Sequence, residues 1–186
     1  MMQSATKSPT KTHLRAVDEE GNDPFSWDLS AQALLTSWRI LLEQREIAED
    51  AHRKLHARRG VSLAPQASQT FWVELMLLGL ALENLFKGYW VTHKCNALYA
   101  NGKLIRWKQV QPHDLTAIAD HVNFSVNSRE RTLLKMLSRI MTGVGRYPLT
   151  TRQQKLADGI GWSNKNDEVM QQLIIRLRTY IRALRD

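Results

Sequence analysis

The chain has one cysteine, Cys95, among 186 residues. An internal disulfide is therefore excluded, and the composition fits a reducing compartment. Proline and glycine are sparse, at 5 and 9 residues, so little here reads as linker or low-complexity sequence beyond the N-terminal stretch. No Gly-rich phosphate loop, cysteine cluster, nucleophile elbow or paired catalytic carboxylate motif is present. The first residues, 1–14, lack an apolar signal core, which points away from export and to a cytoplasmic protein. The longest apolar run, 71–91, is nearly long enough to span a bilayer. Glu74, Glu83, Asn84 and Lys87 interrupt it and argue against a membrane span.

Acidic residues are also in deficit. Lys plus Arg number 26 against 18 Asp plus Glu, a formal net charge of +8. A balance of this sign favours polyanionic partners, nucleic acid first, although a solvated basic surface accounts for it equally well.

Periodicity places the helices. Residues 1–27 are rich in Ser, Thr, Lys and Pro, carry the acidic patch Asp18-Glu19-Glu20, and read as a mobile tail. Asp28 is positioned to cap a helix ending near Arg59 and Gly60, with Leu34, Leu35, Trp38, Leu41 and Leu42 on its apolar stripe. The stripe turns polar beyond Leu42, at Arg45, Glu49, His52 and His56. The run from Phe71 is apolar over most of its circumference, which predicts a helix at the centre of a bundle. Asn101-Gly102 between Leu98-Tyr99 and Leu104-Ile105 is a hairpin signal within a small insertion near 96–110. A helix beginning near Pro112 or His113 carries Leu115, Ile118, Ala119 and Val122. Asn127 or Ser128 can cap the next, with Leu133, Leu134, Leu137, Ile140 and Met141. Asn166 with Asp167 and Glu168 opens the last, which carries Val169, Leu173, Leu177, Tyr180, Ile181 and Leu184. Residues 28–186 thus read as one all-α domain, an antiparallel helical bundle of about five helices with a hairpin or loop insertion.

Several polar residues are out of place on that plan. Glu83, Asn84 and Lys87 fall in or beside the core, where an uncompensated polar group costs several kcal/mol. Glu83 and Lys87 are spaced for an i,i+4 ion pair, which alone explains them; lining a cleft is the other explanation. His113-Asp114-Leu115 stands at a helix start, where Asp114 can accept backbone N–H bonds and His113 can carry a proton. A capping pair without chemistry explains the same residues. Gly145-Arg146-Tyr147-Pro148 is a tight turn presenting a guanidinium and a phenol, suited to phosphate or to a structural pairing with Asp114 or Glu83.

Two further patterns are weak. Glu49, His52 and His56 share a face, but Arg53, Lys54, Arg58 and Arg59 around them oppose a bound cation, so no metal site is expected. Residues 154–169 fit a helix-turn-helix poorly, because Asp167 stands where an apolar residue is needed. On the last helix, Arg178, Arg182 and Arg185 share one face and could track a phosphate backbone; favourable placement of cations near a helix C-terminus explains them too.

Taken in order, Ala81-Leu82-Glu83-Asn84-Leu85-Phe86-Lys87-Gly88, then His113-Asp114-Leu115 at a helix start, then Gly145-Arg146-Tyr147-Pro148 after the next helix, resemble the HEPN superfamily. The resemblance covers roughly residues 71–148. It implies a helical bundle, frequently a homodimer, with a cleft for RNA or a nucleotide. It also implies a metal-independent ribonuclease in the active members, without cofactor, in toxin–antitoxin or defence systems with a nucleotidyltransferase-like antitoxin as partner. Inactive members are binding modules. His113 would then act as general acid or base and Arg146 would stabilise charge on phosphate, with Asp114, Glu83, Asn84, Lys87 and Tyr147 around them. Active members carry Arg, four to six residues, then His near the C-terminal helices. This chain has no His after His121. Arg45 with His52 and Arg106 with His113 satisfy the spacing elsewhere, about as many matches as chance gives. The alternative is a non-catalytic helical interaction or dimerisation module whose polar residues satisfy one another.

Overall fold

The computed structural model describes residues 11–59, 68–94, 98–104, 113–144 and 162–183. Within them lie six α-helices, α1 (Lys11–Gly21), α2 (Pro24–Arg59), α3 (Ser68–Lys94), α4 (Leu115–His121), α5 (Ser128–Arg139) and α6 (Asn164–Arg182), and one two-residue-per-strand hairpin of β1 (Tyr99–Ala100) and β2 (Lys103–Leu104). A π-helical turn, Ile140–Val144, continues α5. The fold is all-α, as the periodicity predicts. No helix among the described residues is long and apolar enough to cross a membrane.

α3 is the axis of the bundle and packs against α2, α4, α5, the π-helical turn and α6. Leu75, Leu78, Leu82, Leu85 and Phe86 of α3 are buried. They meet Ala31, Leu35 and Trp38 of α2, Leu133, Leu134 and Leu137 of α5, and Met170, Leu173, Leu177 and Ile181 of α6 in one core. This explains why α3 is apolar on nearly every side: it has neighbours on nearly every side. Gly79 lies where α3 meets the π-helical turn, and a Cβ there would run into the thioether of Met141.

The N-terminus departs from expectation. Of the residues read as a tail, 11–27 form α1 and the start of α2, and 1–10 lie outside the described residues. The cap of α2 is Asp23, not Asp28: its carboxylate accepts from the Phe25 and Ser26 amides at 3.1 Å each, and Pro24 occupies the first helical position, where its missing N–H costs nothing. α1 is held by the hairpin. Asp18 accepts from the amides of Asn101 and Gly102, both at 2.8 Å. The Asn22 side chain accepts from Leu98 and Tyr99 amides at 2.6 and 2.9 Å and donates to the Tyr99 carbonyl at 2.9 Å. These partners lie about eighty residues away in sequence, so composition alone made the segment look solvated.

The local signals hold elsewhere. Asn101 and Gly102 have φ of 53° and 69°, the pair of positive values that a type I′ hairpin turn requires. The strands pair Tyr99 with Leu104 and Ala100 with Lys103; the remainder of the expected insertion, 96–97 and 105–110, lies outside the described residues. Asn127 caps α5 in a full capping box with Glu130. Asp114 caps α4, accepting from the Thr116 and Ala117 amides. α6 opens at Asn164 behind Ser163, two residues before the expected Asn166.

Candidate functional site

Where the start of α4 meets the middle of α3, three ionisable side chains converge. Glu83 Oε1 accepts from Lys87 Nζ at 2.7 Å, one helical turn away on α3. Its other oxygen lies 2.8 Å from Nδ1 of His113. The carboxylate is nearly sealed, with 7% of the side chain exposed, against 14% for Lys87 and 20% for His113. A carboxylate this buried is tenable because both oxygens are paired with cationic or N–H donors. Lys87 also lies over the indole of Trp27, 5.0 Å from the ring centre, a cation–π contact strengthened by the dry surroundings.

His113 occupies a strained position. Its φ is 72°, a left-handed backbone that a non-glycine residue adopts at a cost of order 1–3 kcal/mol. The next residue, Asp114, is committed to capping: Oδ1 takes the Thr116 and Ala117 amides at 3.1 and 3.0 Å and the Thr116 hydroxyl at 2.8 Å. The Leu115 amide donates to the Ser138 hydroxyl of α5 at 2.9 Å. The cap and this anchor fix the chain just after His113, and the left-handed turn directs the imidazole back to Glu83. With a carboxylate as acceptor, Nδ1 carries the hydrogen of this bond. The arrangement can orient an imidazole for proton transfer beside an ammonium group.

Of the other residues expected at this site, Asn84 is half-buried on α3. Arg146 and Tyr147 lie outside the described residues, as does Arg185. Arg178 and Arg182 are engaged otherwise: both hold Asp28. Arg178 Nε donates to Asp28 Oδ1 at 2.7 Å and Arg182 Nη2 to Oδ2 at 3.0 Å. Asp28, the residue expected to cap α2, is thus a buried anchor between α2 and α6. Its side chain is 6% exposed.

A third ionic cluster gave no clear sequence signal. Arg45 Nε donates to the buried Glu74 at 3.0 Å, pairs with Glu49 at 3.5 Å and lies 5.5 Å from the centre of the Phe71 ring. This is what the polar continuation of the α2 stripe does, and it commits Arg45 to α3. The side chain of His52, its partner by motif spacing, lies outside the described residues, as does that of His56. Near Arg45, Asp167 is buried at the start of α6 and accepts from Trp162 Nε1 at 2.7 Å. Burial pushes the Asp167 carboxyl above the ordinary carboxylate range, against the opposing pull of the Trp162 hydrogen bond and Arg45. No group of three or more His, Cys, Asp or Glu among the described residues is arranged to hold a metal ion. Comparison with protein-family models, curated proteins and solved structures finds no match.

Proposed function

We propose that this chain is a HEPN-like helical domain that engages RNA or a nucleotide at the Glu83, Lys87 and His113 cluster. The observation that carries the reading is the imidazole of His113, bound through Nδ1 to a buried carboxylate at 2.8 Å from a backbone with φ of 72°. Strain of this kind persists only where the surroundings impose it, and it gathers at functional sites. In the ribonuclease form of the proposal, Nε2 removes the proton from a ribose 2′-hydroxyl. The resulting oxyanion attacks the adjacent phosphorus, and the bond to the 5′-oxygen breaks. A 2′,3′-cyclic phosphate and a 5′-hydroxyl result, the latter taking up a proton. In this proposal Lys87, 2.7 Å from the same carboxylate, would counter the charge that grows on phosphate. Arg146, Asp114, Tyr147 and Asn84 belong to the proposed site through the resemblance. A homodimer, an antitoxin of nucleotidyltransferase type and a defence role rest on the resemblance alone.

The test is incubation of the pure protein with mixed RNA in EDTA, together with a binding titration on the same RNA. Cleavage abolished by His113→Ala supports the ribonuclease form. Binding without cleavage, weakened by the same substitution, supports a binding domain. RNA that is neither bound nor cut refutes both.

A second reading is a non-catalytic interaction module. Its specific support is that Arg178, Arg182 and Lys87 are each engaged inside the molecule, by Asp28 and Glu83, which leaves them to fix helix register.

A further inference from the structure

Between α1, the start of α2 and the hairpin lies a cavity of about 210 Å³, open to solvent on one side, whose walls include Trp27, Tyr99, Glu20, Ser26 and Ser30. We propose that it binds a trimethylammonium head group, carried by a small molecule or by a methylated lysine side chain. This inference is independent of the RNA reading.

The size excludes much. Pockets for drug-sized ligands run from about 300 to 1,000 Å³, so a whole nucleotide is too large and a small head group fits. The aromatic pair decides the chemistry. The Trp27 and Tyr99 rings are 6.5 Å apart, tilted by 31°, and both line the cavity. Trp27 has spent its only hydrogen-bond donor, with Nε1 bonded to the Gly21 carbonyl at 3.0 Å. What the indole offers a ligand is therefore its π-system, whose faces attract cations. That this indole accepts a cation is already visible in the Lys87 contact at 5.0 Å, and Lys87 does not line the cavity. The Tyr99 ring is held by the close approach of Gly21, where any Cβ would strike it.

The charge at the rim has the matching sign. Of the acidic run, Asp18 is used on the hairpin amides and Glu19 on Arg15. Glu20 lines the cavity and, among the described residues, makes no ion pair. A carboxylate here repels phosphate and attracts a cation. On the aromatic side of the cavity, where Trp27 and Tyr99 form the wall, a primary ammonium would leave some of its three donors without an acceptor. A trimethylammonium group carries charge without donors and presents methyl groups to the rings, so it loses nothing there.

The experiment titrates the full chain with choline, with a peptide containing trimethyllysine, and with 3,3-dimethylbutan-1-ol, the neutral carbon isostere of choline. Heat and the Trp27 indole N–H resonance are followed. Choline or the peptide should bind saturably and shift that resonance. The isostere should bind about two- to fivefold more weakly, the cation–π contribution of an open site. Glu20→Gln, an exposed change, should weaken binding by up to about fivefold, and Tyr99→Leu should abolish it. Tighter binding of the peptide than of choline assigns a protein partner; equal binding assigns a small molecule. No saturable shift, an isostere that binds as well as choline, or a Glu20→Gln variant with undiminished affinity overturns the proposal. So does displacement of the ligand by adenosine at equal concentration.

Discussion

Replacing Glu83 with Gln keeps the shape of the side chain and removes its charge. Lys87 and His113 then face a neutral amide in a region where only 14% and 20% of their side chains are exposed. Breaking one side of a buried ion pair costs about 3–5 kcal/mol, most of it from the stranded charge. Two features reduce this. The amide can still accept from one of the two partners, and Lys87 keeps its contact with Trp27 at 5.0 Å. A loss of about 2–4 kcal/mol is expected, or roughly 4–16 °C in melting temperature for a chain of this size. Chemical denaturation of parent, Glu83→Gln, Lys87→Met and the double variant closes a thermodynamic cycle. The double variant should be more stable than the sum of the single losses implies, because Lys87→Met removes the stranded ammonium. A single-variant loss below about 1 kcal/mol, or strictly additive losses, would mean that water already serves these groups. Glu83, Lys87 and His113 would then not form a tightly coupled cluster.

Changing Arg178 and Arg182 together to Gln should destabilise the protein, because Asp28 would be left buried and unpaired, with a loss in the range of about 3–5 kcal/mol; a variant with parental stability and a changed salt dependence of RNA binding would instead restore these residues to a phosphate-tracking role. Asp167 has a folded-state pKa raised by burial, so the folded form holds its proton more tightly than the unfolded chain. Its contribution is therefore favourable at low pH and is lost as pH rises through the folded value. Asp167→Asn, which keeps an acceptor for Trp162, should accordingly be more stable than the parent near pH 7. The advantage should vanish below the ordinary carboxylate value of 3.8, and denaturant midpoints measured across that range decide it.

What the sequence discloses here is what local chemistry determines. The full apolar circumference of α3, the Asn101-Gly102 turn, and Asp114 and Asn127 as caps each follow from residues within a few positions of one another. The Glu83 and Lys87 pair is legible for the same reason. What escapes is contact across the chain. Nothing near Asp28 indicates that its partners are Arg178 and Arg182, and an Asp before an apolar stripe looks like a cap. α1 is similarly invisible, because its polar residues find their partners in the hairpin. The bond from Glu83 to His113 lies between these cases: the sequence marks both residues as unusual, and only the turn at φ of 72° brings them together.

The tie between Asp28 and the last helix also bears on the order of events during synthesis. Asp28 and Arg178 are 150 residues apart. At about 5–20 residues per second, a ribosome needs on the order of 8–30 s to make the intervening chain. For that time the carboxylate has no counter-charge and must stay in water, so the face of α2 that carries it cannot close over. The Asp28 end of α2 therefore stays open until α6 arrives, although Leu35 and Trp38 further along already have α3 to pack on.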